Sequence, residues 1–127
     1  MGNKFNLTIE ELKDLLYECY SKDLCYFKVK EQWEENNKSL GMCAITALIV
    51  NDYFYGKICK IYVNDISHYF NYVDNKIIDL TSSQFKCDIN YDNYEVVARK
   101  DILNQDTINR YNLLKEKINN LLILKGL

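Results

Sequence analysis

The stretch SLGMCAITALIV, residues 39–50, decides how this chain is expected to fold. Gly41 ends a polar loop, and helix-forming and apolar residues then follow almost without interruption as far as Phe54. Apolar residues around nearly the whole circumference of a helix predict burial on almost all sides, because a surface helix carries only one apolar stripe. We therefore predict a central helix over residues 42–54, with Cys43 in its first turn.

The chain on either side of this helix predicts an antiparallel sheet and two amphipathic helices. From Lys57 onward the apolar residues recur every second position, which is typical of strands. The predicted strands are 58–63, 66–73, 76–81 and 95–99. The predicted helices are 9–21 and 106–124, and the first begins with a capping box at residues 8–11. A short helical turn is predicted after Thr81. The fold class is then α+β, a single domain over residues 1–127 with about four strands and a helix closing each end.

Composition narrows the classes of function. The chain has 127 residues, 48% hydrophobic and 27% charged, and a net charge of −2 without a basic block, which argues against nucleic-acid binding. It has no apolar run of the length that spans a bilayer and no signal-peptide pattern at its start, so we expect a cytoplasmic protein without a membrane partner. Neither the oligomeric state nor the biological pathway follows from these residues.

The five cysteines are expected to be reduced thiols. Their odd number argues against a disulfide framework. A zinc site is disfavoured because they lack CxxC spacing and the chain contains a single histidine. We therefore expect no metal and no cofactor. Cys19 and Cys59 fall on apolar faces and are predicted to be core residues, whereas Cys25 and Cys87 lie at element edges.

The predicted hairpin brings the single histidine close to an acidic residue. If Asp74 and Asn75 form a two-residue turn, Val73 pairs with Lys76, and His68 and Asp79 become diagonal neighbours on one face. A turn of odd length would place them on opposite faces. Asp79 stands in an apolar strand segment, where its charge would be costly to bury without a partner.

Cys43 completes a possible catalytic arrangement. The free amides and the dipole at a helix N-terminus favour an anionic sulfur and can also bind an oxyanion. A histidine that takes the proton and an aspartate that orients the histidine would complete an activated nucleophile. Structural explanations stay open: Cys43 as a buried core thiol, His68 as a hydrogen-bonding core residue, and Asp79 as the cap of the next turn. The tyrosine-rich strands could line a groove or be half-buried on the sheet.

Four motifs resemble the YunG-like family of small bacterial proteins. They are GMCAITALIVNDYFYGKI, SHYFN, IDLTSSQF and ARKDILNQDTINRYNLLKEKI, in this order between Trp33 and the C-terminus. The arrangement also resembles the papain-like superfamily in the wide sense, including the NlpC/P60 and transglutaminase-like groups. That resemblance implies a papain-like core, in which a helix that carries the cysteine packs on an antiparallel sheet.

Carried onto this chain, the resemblance implies Cys43 as nucleophile, His68 as general base and Asp79 as the residue that orients it. It places Gly41, Met42 and Trp33 at the oxyanion or substrate region. Met42 stands where the family usually has glutamine, so one hydrogen-bond donor is expected to be missing.

Three functional hypotheses follow. The first is an acyl-transfer enzyme, an amide, peptide or thioester hydrolase acting on a peptide, a protein or a small amide or ester. The second is a non-catalytic module that binds a protein or peptide and keeps a vestigial site. The third is a redox-sensing thiol, which would need a nearby resolving cysteine.

Overall fold

The computed structural model describes residues 6–126, and its central element is helix α2, Cys43–Phe54. The other regular elements are α1 (Ile9–Cys19), β1 (Lys57–Val63), β2 (Ile66–Val73), β3 (Lys76–Ile78), β4 (Glu95–Val97), α3 (Arg99–Ile102) and α4 (Gln105–Leu124). Short 3₁₀ helices lie at Lys22–Leu24, Phe27–Gln32, Glu35–Asn37 and Ser82–Gln84. The α+β class and the four-stranded antiparallel sheet are therefore confirmed.

The sheet has the order β3-β2-β1-β4, and its register is set by tight turns. Asp74 and Asn75 have positive φ angles of 51° and 65°, as a two-residue hairpin turn of type I′ requires. Val73 pairs with Lys76 across this turn, which is the predicted register.

Helix α2 is buried as its sequence predicts. Every residue from Ile45 to Val50 is buried, and the helix contacts both β2 and α4. Polar groups at its centre have partners: Asn71 Nδ2 of β2 donates to the Ala47 carbonyl at 3.0 Å, and the Thr46 hydroxyl is hydrogen-bonded to the Tyr20 hydroxyl.

The two faces of the sheet pack against different parts of the chain. Tyr69 and Val73 of β2 pack into the core around α2, whereas Phe70 lies in a second cluster whose cover comes from residues 85–94. Side chains alternate along a strand, so His68 shares the face of Phe70, away from the body of α2.

Several element ends differ from the prediction. The strand β3 ends at Ile78 instead of Thr81, because the Asp79 carboxylate accepts a hydrogen bond from the Thr81 amide at 3.2 Å and turns the chain. Helix α4 begins one residue early, at Gln105, since Asn104 caps it by accepting from the Thr107 amide. Helix α2 begins at Cys43, α1 ends at Cys19, and β4 ends at Val97.

No helix within residues 6–126 combines the length and apolar character that crossing a membrane requires. In the same range, no three His, Cys, Asp or Glu side chains are grouped so that they could hold a metal ion.

Candidate active site

Cys43 is the first residue of α2 and lies in the wall of a cleft of about 580 Å³. The first amides of a helix have no partners within the helix, and they form the positive end of its dipole. The half-buried thiol therefore stands where backbone donors and an accessible cavity meet.

Gly41 fixes the path of the chain into α2. Its φ is +74°, and its carbonyl accepts a hydrogen bond from the Tyr26 amide at 3.1 Å. A Cβ atom on Gly41 would lie 2.5 Å from Cys25 Sγ and 2.8 Å from the Tyr26 nitrogen. The left-handed conformation and the close contact both require glycine two residues before the thiol.

The predicted contact between His68 and Asp79 is present. His68 Nε2 lies 2.6 Å from Asp79 Oδ2, and both side chains are almost completely buried, at 0% and 4% exposure. Since β3 pairs only with Asn71–Val73, the beginning of β2 has a free edge at this point. The start of α2, with Cys43, and the start of β2, with Ile66 and Ser67, line the same cleft.

The second ring nitrogen of His68 is available to the thiol. Nδ1 is the one buried side-chain nitrogen or oxygen within residues 6–126 that has no well-formed hydrogen bond. Cys43 is nevertheless close enough to affect the charge state of the ring. Burial lowers the pKa of His68, but hydrogen bonding to Asp79 and Cys43, together with their charges, outweighs it and raises the pKa to about 9.

The Asp79 carboxylate is held by several donors. Tyr91 donates its hydroxyl hydrogen to Oδ2 at 2.7 Å, and the Thr81 amide and hydroxyl both donate to Oδ1. Burial, followed by the contact with Asp79, raises the pKa of Tyr91, so this phenol stays a donor. The cost of burying the Asp79 charge is thereby offset.

Two residues from the sequence analysis do not lie on the cleft. The Met42 side chain is completely buried in the core, and its amide donates to the Ser39 carbonyl. Trp33 packs against the core, and its indole nitrogen donates to the Lys38 carbonyl at 2.9 Å. Of the three residues assigned to the oxyanion or substrate region, only Gly41 lines the cleft.

Three site residues were missed by sequence reasoning. Gln84 lines the cleft, and its Oε1 accepts from the Gly41 amide at 3.4 Å. Phe85 presents its ring edge-on to His68 at a centroid distance of 4.9 Å, and Tyr91 holds Asp79. Gln84 and Phe85 belong to the motif IDLTSSQF, so the motif itself was an available signal, whereas Tyr91 lies in a loop without periodicity.

The other cysteines differ from Cys43 in their surroundings. Cys19 and Cys59 are buried, as predicted, and burial raises the pKa of both thiols, to about 11 for Cys19. Cys25 is also buried, and its thiol donates to the Leu40 carbonyl at 3.2 Å. Cys87 is exposed.

Comparison with known proteins places the chain in a family. The family described as YunG protein matches residues 8–122. The chain belongs to the YunG family. It is 32% identical over 83 residues to "Uncharacterized protein YunG" of Bacillus subtilis (strain 168), an alignment that covers 65% of this chain and 68% of the relative. No solved structure matches.

The YunG match extends the resemblance that the four motifs carry. Those motifs begin at Trp33, whereas the family match begins at residue 8 and so includes α1. Cys43, His68 and Asp79 all lie within the matched range.

Proposed function

We propose that this YunG-family chain is a cysteine-nucleophile acyl-transfer enzyme that hydrolyses an amide, peptide or thioester bond. The observation that carries the proposal is the buried His68 ring, which holds Asp79 through Nε2 and leaves Nδ1 without a well-formed hydrogen bond beside Cys43. Such chemistry needs a nucleophilic side chain that is open to a cleft, a side chain that carries the proton, and a residue that orients the proton carrier.

The raised pKa of His68 suggests the roles of His68 and Cys43 in the reaction. At neutral pH the imidazolium form of His68 is favoured, and in the proposed reacting state it faces an anionic sulfur on Cys43. The sulfur attacks the substrate carbonyl and forms a C–S bond. The bond to the leaving group breaks as His68 gives it a proton. Water then attacks the thioester while His68 takes a proton from it, and the C–S bond breaks, which releases the acid and restores the anionic sulfur and the imidazolium.

Backbone groups supply the oxyanion donors in this proposal. Met42 is buried and cannot contact a substrate, so the amide of Cys43 at the start of α2 takes this role. Gln84 is placed to help, because its Nε2 donates one hydrogen to the Thr81 carbonyl at 3.2 Å and keeps a second.

The papain-like arrangement is part of the proposal. A helix that carries the thiol and packs on an antiparallel sheet that carries the histidine is the layout that the sequence resemblance implies. The substrates consistent with it are peptides, proteins and small amides or esters.

Alkylation rates test the nucleophile directly, with Cys87 as an internal reference because it is exposed. We expect iodoacetamide at pH 7 to label Cys43 faster than Cys87. His68→Gln and Asp79→Asn should slow the labelling of Cys43 and leave Cys87 unchanged. Peptide mapping by mass spectrometry resolves the two sites.

Turnover is measured in parallel on a panel of thioesters, esters and anilides. Activity should disappear in Cys43→Ala and persist in Cys87→Ala. Labelling of Cys43 no faster than that of Cys87, together with no turnover, would rule out the enzyme and favour the non-catalytic binding module.

A further inference from the structure

Arg110 of α4 is a charged residue that the proposed chemistry does not use. It lines the cleft but is only 7% exposed. Its Nε donates to Asp106 Oδ2 at 2.9 Å, and its Nη1 donates to the carbonyls of Leu24 and Gly41 at 3.1 and 3.3 Å. These contacts hold the guanidinium in one orientation.

The remaining nitrogen, Nη2, has no hydrogen bond to any part of the chain that the structure describes, residues 6–126. Nor is it sealed in the interior, since His68 Nδ1 is the one buried unpartnered side-chain polar atom in that range. Arg110 lines the cleft, so we infer that the two N–H groups of Nη2 are the donors that a ligand there would use.

The surroundings of Nη2 favour a negative charge. The cleft is bordered by the N-terminal turns of two helices, at Cys43 of α2 and at Asn104 and Thr107 of α4. Each such end carries the positive pole of its helix dipole. The carboxylates of Asp101 and Asp106 limit this preference, so the site suits one negative charge better than two.

The other walls of the cleft are largely apolar. They include Val29, Leu40, Ile66, Tyr69 and Ile102. A cleft of this kind, with few polar groups, binds an apolar body and fixes its orientation through the polar contact. Its volume, about 580 Å³, is that of a site for a small molecule or a short peptide segment.

We propose that the ligand of this cleft carries an apolar segment that ends in a carboxylate, and that Arg110 Nη2 binds the carboxylate. This deepens the proposed function and rests on it for the statement that the ligand is a substrate of Cys43. Gly41 links the two positions, because its carbonyl contacts Arg110 and it lies two residues before Cys43. The bound carboxylate is therefore a group of the ligand other than the carbonyl that Cys43 attacks.

The test compares two probes that differ only in charge, 6-acetamidohexanoic acid and 6-acetamidohexanamide, on the Cys43→Ala protein, which cannot cleave their amide bonds. Binding is followed by the backbone amide shifts of Asn104 and Thr107. We expect the acid to bind about tenfold more tightly, since one hydrogen bond to a charged group is worth that much or more. Arg110→Met should abolish the preference.

A milder variant guards against misfolding of Arg110→Met. Asn104→Asp keeps the α4 cap, since aspartate caps as well as asparagine, but adds a negative charge at the cleft. This substitution should lower the affinity of the protein for the acid to its affinity for the amide. Asn109→Asp is the matched control: Asn109 is exposed on α4 outside the cleft, and its Oδ1 accepts from Gln105, as aspartate can.

Equal binding of the acid and the amide to the Cys43→Ala protein would overturn the carboxylate site, as would equal effects of Asn104→Asp and Asn109→Asp added to it. Labelling of Cys43 by iodoacetamide is a separate readout because this probe is neutral. Fast labelling of Cys43 with no preference for the acid would support the enzyme and rule out the carboxylate site. A preference for the acid together with an unreactive Cys43 would support an anion-binding cleft and rule out the enzyme.

Discussion

His68 is the residue on which the charge state of the site depends. It is the single histidine of the chain, and Phe85 and Phe70 both lie against its ring, one edge-on and one stacked. Its hydrogen bond to Asp79 is therefore formed away from water, where a charge-assisted contact is strong and the loss of one partner is costly.

The raised pKa of His68 predicts a pH-dependent stability. The folded value of about 9 lies above the ordinary value of 6.5, so the stabilisation is complete below pH 6.5 and is lost as the pH rises through 9. The loss should be on the order of 3 kcal/mol, at about 1.4 kcal/mol per pKa unit. Urea unfolding between pH 6 and 10 measures it. His68→Gln should lose this component, and an unchanged slope in that variant would contradict the assignment.

Tyr91 is expected to position Asp79, and Tyr94 provides a matched control. Both rings pack against Phe70, but Tyr91 alone donates to Asp79. Tyr91→Phe should lower the free energy of unfolding by about 1.5–3 kcal/mol and slow the alkylation of Cys43. Tyr94→Phe should change the free energy by less than about 0.5 kcal/mol. Equal effects of the two substitutions would show that the hydroxyl of Tyr91 has no special role.

At the level of elements, the sequence predicted what local signals determine. The capping box is formed as expected, with the Thr8 amide donating to Glu11 Oε1 at 2.9 Å and the Glu11 amide donating to Thr8 Oγ1 at 3.1 Å. The hairpin register followed from the two-residue turn at Asp74. The early end of β3 was missed. Asp79 could either continue the strand or accept a hydrogen bond from the Thr81 amide, and the tertiary partners of its carboxylate decide between the two.

The turn into α2 depends on a glycine at position 41, and Gly126 offers a control at nearly the same backbone angle. Their φ values are +74° and +75°, but a Cβ on Gly126 would meet no atom of residues 6–126 within 4 Å. Gly126→Ala should therefore cost only the strain of its conformation, about 1–2 kcal/mol. Gly41→Ala should cost more, by at least about 1–3 kcal/mol for the forced contact with the Tyr26 backbone. Thermal unfolding compares them, and equal losses would argue against the close contact.

In the molecule as a whole, the candidate site joins segments that lie far apart in the chain. Cys43 opens α2, His68 lies on β2, and Gln84 and Tyr91 come from the stretch between β3 and β4. Residue spacing placed Cys43 on a helix and His68 beside Asp79. It could not reveal Arg110, whose partners Leu24 and Gly41 lie 86 and 69 positions away. Contacts of that kind follow from packing, which has no local signal.

A polar cluster at the far end of α2 joins three helices. Arg99 of α3 donates to the Leu48 carbonyl at 3.2 Å and to Asn51 Oδ1 at 2.9 Å, both on α2, and to the Tyr111 hydroxyl of α4 at 3.0 Å. It also pairs with Asp52 at 3.0 Å. Tyr111 in turn donates to Asp52. This cluster lies at the opposite end of α2 from Cys43, so it should stabilise the fold without contributing to the site.

Arg99→Met tests that separation. The substitution keeps much of the side-chain volume but removes every donor, so it should lower the free energy of unfolding by about 2 kcal/mol, a value reduced because the arginine is about one-third exposed. Below the unfolding transition, the rate at which iodoacetamide labels Cys43 should not change. Lys100→Met is the control: Lys100 is exposed, and its loss should change stability by less than about 0.5 kcal/mol. Slower labelling of Cys43 in Arg99→Met below its unfolding transition would mean that the two ends of α2 are coupled, which this arrangement of contacts does not predict.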